Sequence, residues 1–212
     1  MPEIRIQSMV TGMVATNVYF VQNTETKEML IIDPADDAAA IRRRVSAMEG
    51  KPVAILLTHG HYDHMLAAEA VRDAYGIPVY IEEEDEKVLE DARYNLSGLW
   101  TVPFTMKADR LMKDGDVLHL AGLEIHVILT PGHTWGSCCF YLPEEKVLFS
   151  GDTLFCGSYG RTDFATSSSR DMADSVHRLL RELPEDTEVY PGHESFTTIG
   201  DEKMFNPLAY GL

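Results

Sequence analysis

Basic side chains are in short supply. Eighteen Lys and Arg stand against 34 Asp and Glu, for a formal charge of −16 at pH 7. So acidic a surface repels phosphate backbones and anionic bilayers, and neither nucleic acid nor membrane is expected as a partner. Cysteine is scarcer still, with three residues of which Cys138 and Cys139 are neighbours. An odd count at that spacing suits neither a disulfide framework nor a zinc knuckle and fits a reducing compartment. No run approaches the ~20 apolar residues that span a bilayer. The opening Met-Pro-Glu-Ile-Arg-Ile also lacks the basic and apolar segments of a secretory leader, so a cytoplasmic location is expected. Repeats, low-complexity tracts and a convincing linker are missing too, and residues 1–212 read as a single domain. At 45% hydrophobic and 25% charged the composition is globular, and the length suffices to bury a core that holds a polar site without disulfides.

Short β-rich runs at 4–10, 17–22 and 29–33, split by turn-forming residues, predict an antiparallel meander. Asp36-Asp37 opens an Ala-rich segment that stops at Gly50, as a helix does. The uniformly apolar run 53–58 predicts a strand buried on both faces, followed by a His-rich loop and a helix over 65–75. A second round has a strand at 79–81, an acidic helix over 83–95, and strands at 117–120 and 123–129. A third has strands at 138–142 and 146–150, a helix over 169–183 and a last strand at 188–190. Two halves that each run strands and then a helix predict an α+β protein, with two mixed sheets face to face and helices outside.

Chemistry concentrates in Thr58-His59-Gly60-His61-Tyr62-Asp63-His64. Three imidazoles and a carboxylate within six residues are the donors that borderline divalent metals prefer. In extended chain His59 and His61 project to the same side, whereas Asp63 and His64 fall at the turn into the helix, so two neighbouring metals fit better than one. His133, Asp152 and His193 each follow an apolar run and a glycine, the residue that allows a tight turn to aim the next side chain back over the strand ends. His119, His126 and His177 sit where strand alternation or a basic helix face predicts no ligand role. Cys138 and Cys139 read as small core residues, and Cys156 as an oxidisable thiol near the site.

These residues resemble the metallo-β-lactamase-fold hydrolase superfamily, and within it the short glyoxalase II-like (hydroxyacylglutathione hydrolase-like) branch. The likeness also takes in Thr16-Asn17, Ile32-Asp33-Pro34, Ser150-Gly151-Asp152-Thr153, Gly160-Arg161-Thr162-Asp163-Phe164 and Asn206-Pro207. The resemblance implies a four-layer αββα sandwich. It implies that His59, His61 and His133 hold one metal and Asp63, His64 and His193 a second, with Asp152 bridging. The cofactors so implied are two divalent ions, zinc first, with iron or manganese as alternatives. Their chemistry is a hydroxide nucleophile available at neutral pH and a polarised carbonyl, with Asp63 orienting the nucleophile and Asp152 fixing the metal pair.

The implied activity is hydrolysis of a small-molecule thioester such as an S-acylglutathione. The alternatives are a lactonase, or a mononuclear iron oxygenase of the persulfide dioxygenase kind using His59, His133 and Asp152. Arg161 is expected either to grip a substrate carboxylate or to pair with Asp163 within its loop, Tyr159 to lie beside the pocket in that loop, and Tyr62 to form a wall. Trp135, where the family often has Pro, is expected to narrow or line the pocket, or to be buried. The short tail after His193 predicts that the helical region supplying glutathione contacts in full-length glyoxalase II enzymes is lacking.

Overall fold

Every residue of strand β2, Thr16–Asn23, is buried, and its alternation sets the layering of the molecule. Val18 and Phe20 enter one apolar cluster and Tyr19 and Val21 another, because successive side chains of a strand point to opposite faces. The computed structural model describes residues 3–210. The first half forms a six-stranded sheet in chain order: β1 (Ile4–Thr11), β2, β3 (Glu28–Ile32), β4 (Lys51–Leu56), β5 (Val79–Glu82) and β6 (Arg110–Met112). β1 to β3 are the antiparallel meander, with Tyr19 opposite Ile32, and the remaining pairs are parallel. Parallel neighbours require crossovers, here α1 (Ala38–Ala47) before β4, then α2 (Tyr62–Met65) and α3 (Ala68–Tyr75) before β5. Asp37 caps α1 by accepting from the Ala40 amide at 2.9 Å.

The second sheet comes from the second half: β7 (Val117–Leu120), β8 (Leu123–Leu129), β9 (Cys138–Leu142), β10 (Val147–Gly151), β13 (Glu188–Pro191) and β14 (Thr197–Thr198). It is antiparallel except for β10 beside β13, a parallel pair bridged by α6 (Ser169–Glu182). Between β10 and α6 a small hairpin, β11 (Leu154–Phe155) and β12 (Ser158–Tyr159), leaves the sheet, and α7 (Ile199–Phe205) follows β14.

Ile41, Val45 and Val71 of the first helices pack on Phe20 and Ile31. Between the sheets Leu30, Ile32 and Leu56 meet Val127, Phe140 and Phe149. On the far side Cys139 and Leu148 meet Met172, Val176 and Leu179 of α6. Each such side chain contributes about 1.5–3 kcal/mol by leaving water. The layers run helix, sheet, sheet, helix, the αββα sandwich expected.

Residues 83–95 depart from expectation. In place of one acidic helix there is a 3-10 turn, Glu83–Asp85, a single α turn, α4 (Glu86–Leu89), and a loop. Like charges three and four apart disfavour a continuous helix, and Glu82 and Asp85 turn inward to accept backbone N–H groups instead. The helix expected over 65–75 begins later, at Ala68, and a separate turn, α2, forms within the His-rich segment expected as a loop. A further turn, α5 (Ser97–Trp100), and the short strands β6, β11, β12 and β14 were too brief to leave a periodic signal. Among the described residues no helix is long and apolar enough to cross a membrane.

Candidate metal centre

All seven candidate donors lie at one rim of the sandwich, where strands end. The chain leaving β4 carries His59 and His61, and α2 carries Asp63 and His64. His133 follows β8, Asp152 follows β10 and His193 follows β13. Three groupings place one donor atom per residue within 4.8 Å of one another: His59, His61 and His133; His59, His64 and Asp152; and Asp63, His64 and His193. The structure thus brings all seven together from both halves.

Hydrogen bonds behind the imidazoles determine which nitrogens face inward as acceptors. His133 Nδ1 is 2.9 Å from the Arg161 carbonyl, which can only accept, so Nδ1 bears the proton and Nε2 a lone pair. His64 Nδ1 donates to Asp33 Oδ2 at 2.9 Å, which leaves its Nε2 facing His193 Nε2 at 3.3 Å and Asp152 Oδ1 at 3.4 Å. Thr58 Oγ1 spends its proton on Asp33 Oδ2 at 2.7 Å and therefore accepts from His59 Nδ1 at 3.1 Å, again leaving Nε2 unprotonated. His61 Nδ1 and His133 Nε2 stand 2.9 Å apart, a separation at which two ring nitrogens share either a proton or a cation.

His59 Nε2, His61 Nε2 and Asp152 Oδ1 are buried without a hydrogen-bond partner among the described residues. Unpartnered buried acceptors cost about 1–3 kcal/mol each. Imidazole lone pairs and carboxylates converging in this way fit divalent cations of the zinc or iron type.

Electrostatics express the same demand for positive charge. Burial, reinforced by the neighbouring imidazoles, pushes His59 and His61 well below the ordinary histidine range, and burial lowers His133 as well. His64 rises well above that range, because Asp152, Asp63 and Asp33 outweigh its burial. His193, opposed by burial but facing Asp152 and Asp63, is pushed up to about 10. Asp63 and Asp152 resist burial's upward push and are lowered by His64 and other imidazoles. Two carboxylates thus hold two imidazoles protonated, and a bound cation would displace those protons.

Two aspartates that sequence reasoning did not single out as site residues organise the loops. Asp33, in the left-handed region at φ 48°, accepts from the Thr58 amide at 2.8 Å, from the Thr58 hydroxyl and from His64. An Asp ending an otherwise apolar strand was the available signal. Asp85, fully buried, accepts from the Gly60 amide at 2.7 Å, the Thr134 hydroxyl at 2.8 Å and the Gly136 amide at 2.8 Å. It ties the His59–His61 segment of one half to the His133 loop of the other. Burial pushes its carboxyl up to about 6. Placed in a run of five acidic residues, 82–86, it had no distinguishing mark.

The motif Thr16-Asn17 performs similar work. Asn17 Nδ2 reaches the carbonyls of Pro191 and Glu194, its amide meets the Gly192 carbonyl at 2.8 Å, and Thr16 Oγ1 donates to Asp63 at 3.3 Å. The glycines answer to conformation and to space. Gly132 and Gly151 adopt positive φ, 144° and 49°, and a Cβ there would also strike Met172 and Thr58; at Gly192 a Cβ would run into Asp152 Oδ1 and His64 Cε1.

Above the donors lies a cavity of about 770 Å³. Tyr62, Tyr159 and Arg161 line it. Arg161 makes the intra-loop pair, Nε to Asp163 Oδ1 at 2.9 Å and an Nη to Oδ2 at 2.8 Å, and stacks 4.6 Å from the centroid of Phe164. The hairpin β11–β12 is held by α7, through Glu202 accepting from the Gly157 amide and Asn206 donating to the Ser158 carbonyl at 2.8 Å. Trp135 corrects the reading made of it. It is outside the residues lining the cavity and half-exposed, its ring edge-on to Tyr94 at 5.1 Å and beneath Lys87. The Gly136 backbone, drawn in by Asp85, turns the preceding side chain away. His119 is exposed, His126 pairs with Glu124, and His177 bonds the Leu208 carbonyl, all apart from the donors. Cys138 and Cys139 are buried and Cys156 is exposed.

A family profile described as "Metallo-beta-lactamase superfamily" matches residues 11–193. A probable metallo-hydrolase, YqgX of Bacillus subtilis, is 35% identical over 206 residues, 96% of this chain and 97% of that protein. The hydroxyacylglutathione hydrolase GloC of Haemophilus influenzae is 33% identical over 187 residues, 87% and 88% of the two chains. Among solved structures, the BLEG-1 B3 metallo-beta-lactamase superposes with a TM-score of 0.93 at 40% identity, covering 98% of this chain and all of that one. TTHA1623 in a di-iron-bound form superposes with 0.83 at 34% identity, covering 95% and 98%.

Proposed function

The chain belongs to the metallo-beta-lactamase superfamily as a metallo-hydrolase, and from that premise we propose that it cleaves an activated acyl compound, a thioester foremost, at a pair of divalent cations. In this reading His59, His61 and His133 hold the first cation and Asp63, His64 and His193 the second, with Asp152 shared. The carrying observation lies at the floor of the cavity: His59 and His133 each turn a lone pair inward, fixed by a proton donated outward from the same ring, beside the unpartnered carboxylate oxygen of Asp152. When bound, such cations lower the pKa of water and polarise a carbonyl.

The chain's own groups do the rest. Asp63, ionised and steadied by Thr16, accepts a hydrogen bond from an attacking water and so aims it. The Tyr159 side chain and the Arg161 stack flank the opening and orient the acyl group. GloC, a relative named as a hydroxyacylglutathione hydrolase, supports the choice of bond.

The test is steady-state hydrolysis of S-lactoylglutathione, simple lactones and a chromogenic β-lactam by protein loaded with zinc, iron or manganese. Thioester turnover that falls at least about 10³-fold in His59→Ala is expected. Oxygen uptake with a persulfide, without hydrolysis of any of the three, would sink the proposal in favour of an oxygenase.

A further inference from the structure

Above the donors, the cavity walls are one-sided in their chemistry. Met13 and Val14 come from the β1–β2 turn, Leu96 and Trp100 from the segment before and within α5, and Phe155 and Phe164 from the hairpin and the loop after it. Met13 is 78% exposed and Trp100 58%. Large apolar side chains left facing water at the mouth of one cavity gain most when an apolar ligand displaces that water.

Charge on the same walls is unfavourable to anions. Arg161 is the only Lys or Arg among the described residues lining the cavity, and two hydrogen bonds to Asp163 already engage its guanidinium. Glu194 contributes a further acidic side chain to the lining, and the whole chain carries −16. The tripeptide carrier of an S-acylglutathione brings two carboxylates, each needing a cationic or N–H partner to leave water without loss. Beyond the candidate metal donors, these walls offer only an occupied one.

Resting on the thioesterase reading, we propose that this cavity selects acyl compounds with an extended apolar acyl chain on an uncharged carrier, and that Met13 and Trp100 are the specificity-determining contacts. An aliphatic chain of about four to eight carbons would lie against these side chains while its carbonyl carbon sits at the donor cluster. Hydrolysis of such a substrate breaks the acyl carbon–sulfur bond. The water oxygen joins the acyl carbon, one water proton goes to the thiolate, and a fatty acid and a neutral thiol are released.

Binding and turnover are measured separately on the metal-loaded protein. Isothermal titration with non-hydrolysable thioethers, S-butyl-, S-hexyl- and S-octyl-N-acetylcysteamine, should show affinity rising about fourfold per added methylene, in line with the transfer of CH₂ from water. S-methylglutathione should bind more weakly than all three. Trp100→Ala and Met13→Ser should flatten the chain-length slope without changing metal content. Asp163→Ala, which removes both acceptors from the guanidinium of Arg161, should raise affinity for S-methylglutathione several-fold.

A flat slope, or tighter binding of S-methylglutathione than of the hexyl compound, overturns the proposal. If that result accompanies turnover of S-lactoylglutathione, the thioesterase reading stands and only the selectivity falls. A steep slope with hydrolysis of neither octanoyl-N-acetylcysteamine nor S-lactoylglutathione supports the apolar cavity and overturns the thioesterase reading instead.

Discussion

Asp33 and Asp85 show how two buried carboxylates outside the proposed ligand set govern those ligands. Asp33→Asn exchanges Oδ2 for an NH₂ that accepts from neither the Thr58 hydroxyl nor His64, so the tautomer of His64 loses its outer partner. Metal affinity about 10–100-fold weaker is expected, read by competition with a chromogenic chelator, while far-ultraviolet dichroism is unchanged. Asp85→Asn places an NH₂ against the Gly136 or the Gly60 amide and should cost about 1–3 kcal/mol in urea unfolding. Among the residues that chemistry uses, those legible in the sequence were donors clustered by spacing, as at His59 to His64, or set singly after a glycine, as at His133. The two aspartates were illegible for a physical reason. Their work is to accept backbone and hydroxyl protons from segments 25 or more positions away, and such bonds leave no local pattern.

At the level of elements, strand ends do the positioning. Gly192 follows β13, where the backbone passes against Asp152 and His64. Gly192→Ala should displace Asp152 and abolish tight metal binding. Gly157→Ala, at φ 65° with open space around it, should cost only about 1 kcal/mol and leave metal content intact. Metal content by atomic emission, compared with thermal melting of the two variants, separates these outcomes. Strands were read well where the apolar period was long enough: β7, β8 and β9 match expectation to the residue. The acidic stretch before α5 was misread, because helix propensity was weighed without the inward turn of Glu82 and Asp85. β6 and β14, of three and two residues, owe their conformation to the neighbour each pairs with.

Over the whole molecule, stability should depend on pH in a direction set by buried acids. Burial, with Asp85 adding to it, raises Glu82 to about 7, so the folded chain holds that proton where the unfolded chain has lost it. The stability so contributed is present at acidic pH and is lost as pH climbs through about 7. Melting temperatures of the apo protein between pH 5 and 8 should therefore fall less steeply in Glu82→Gln than in the unchanged chain. Added zinc should raise the melting temperature in proportion to the logarithm of its free concentration above Kd, an increase that His59→Ala removes. The overall architecture, two sheets face to face, was legible because each half repeats a simple order of strands and helix, whereas the bonds that join the halves were not. They are distant backbone contacts such as Asn17 to Gly192 and Cys138 to Thr58. The division also makes the molecule bipartite. A cut in the turn between β6 and β7 would separate two fragments, each keeping the whole of its own six-stranded sheet, one holding His59, His61, Asp63 and His64 and the other His133, Asp152 and His193. Neither fragment alone should retain tight zinc or turn over substrate. Mixed together they should regain both, so that the chain would serve as a complementation reporter whose signal requires a divalent cation.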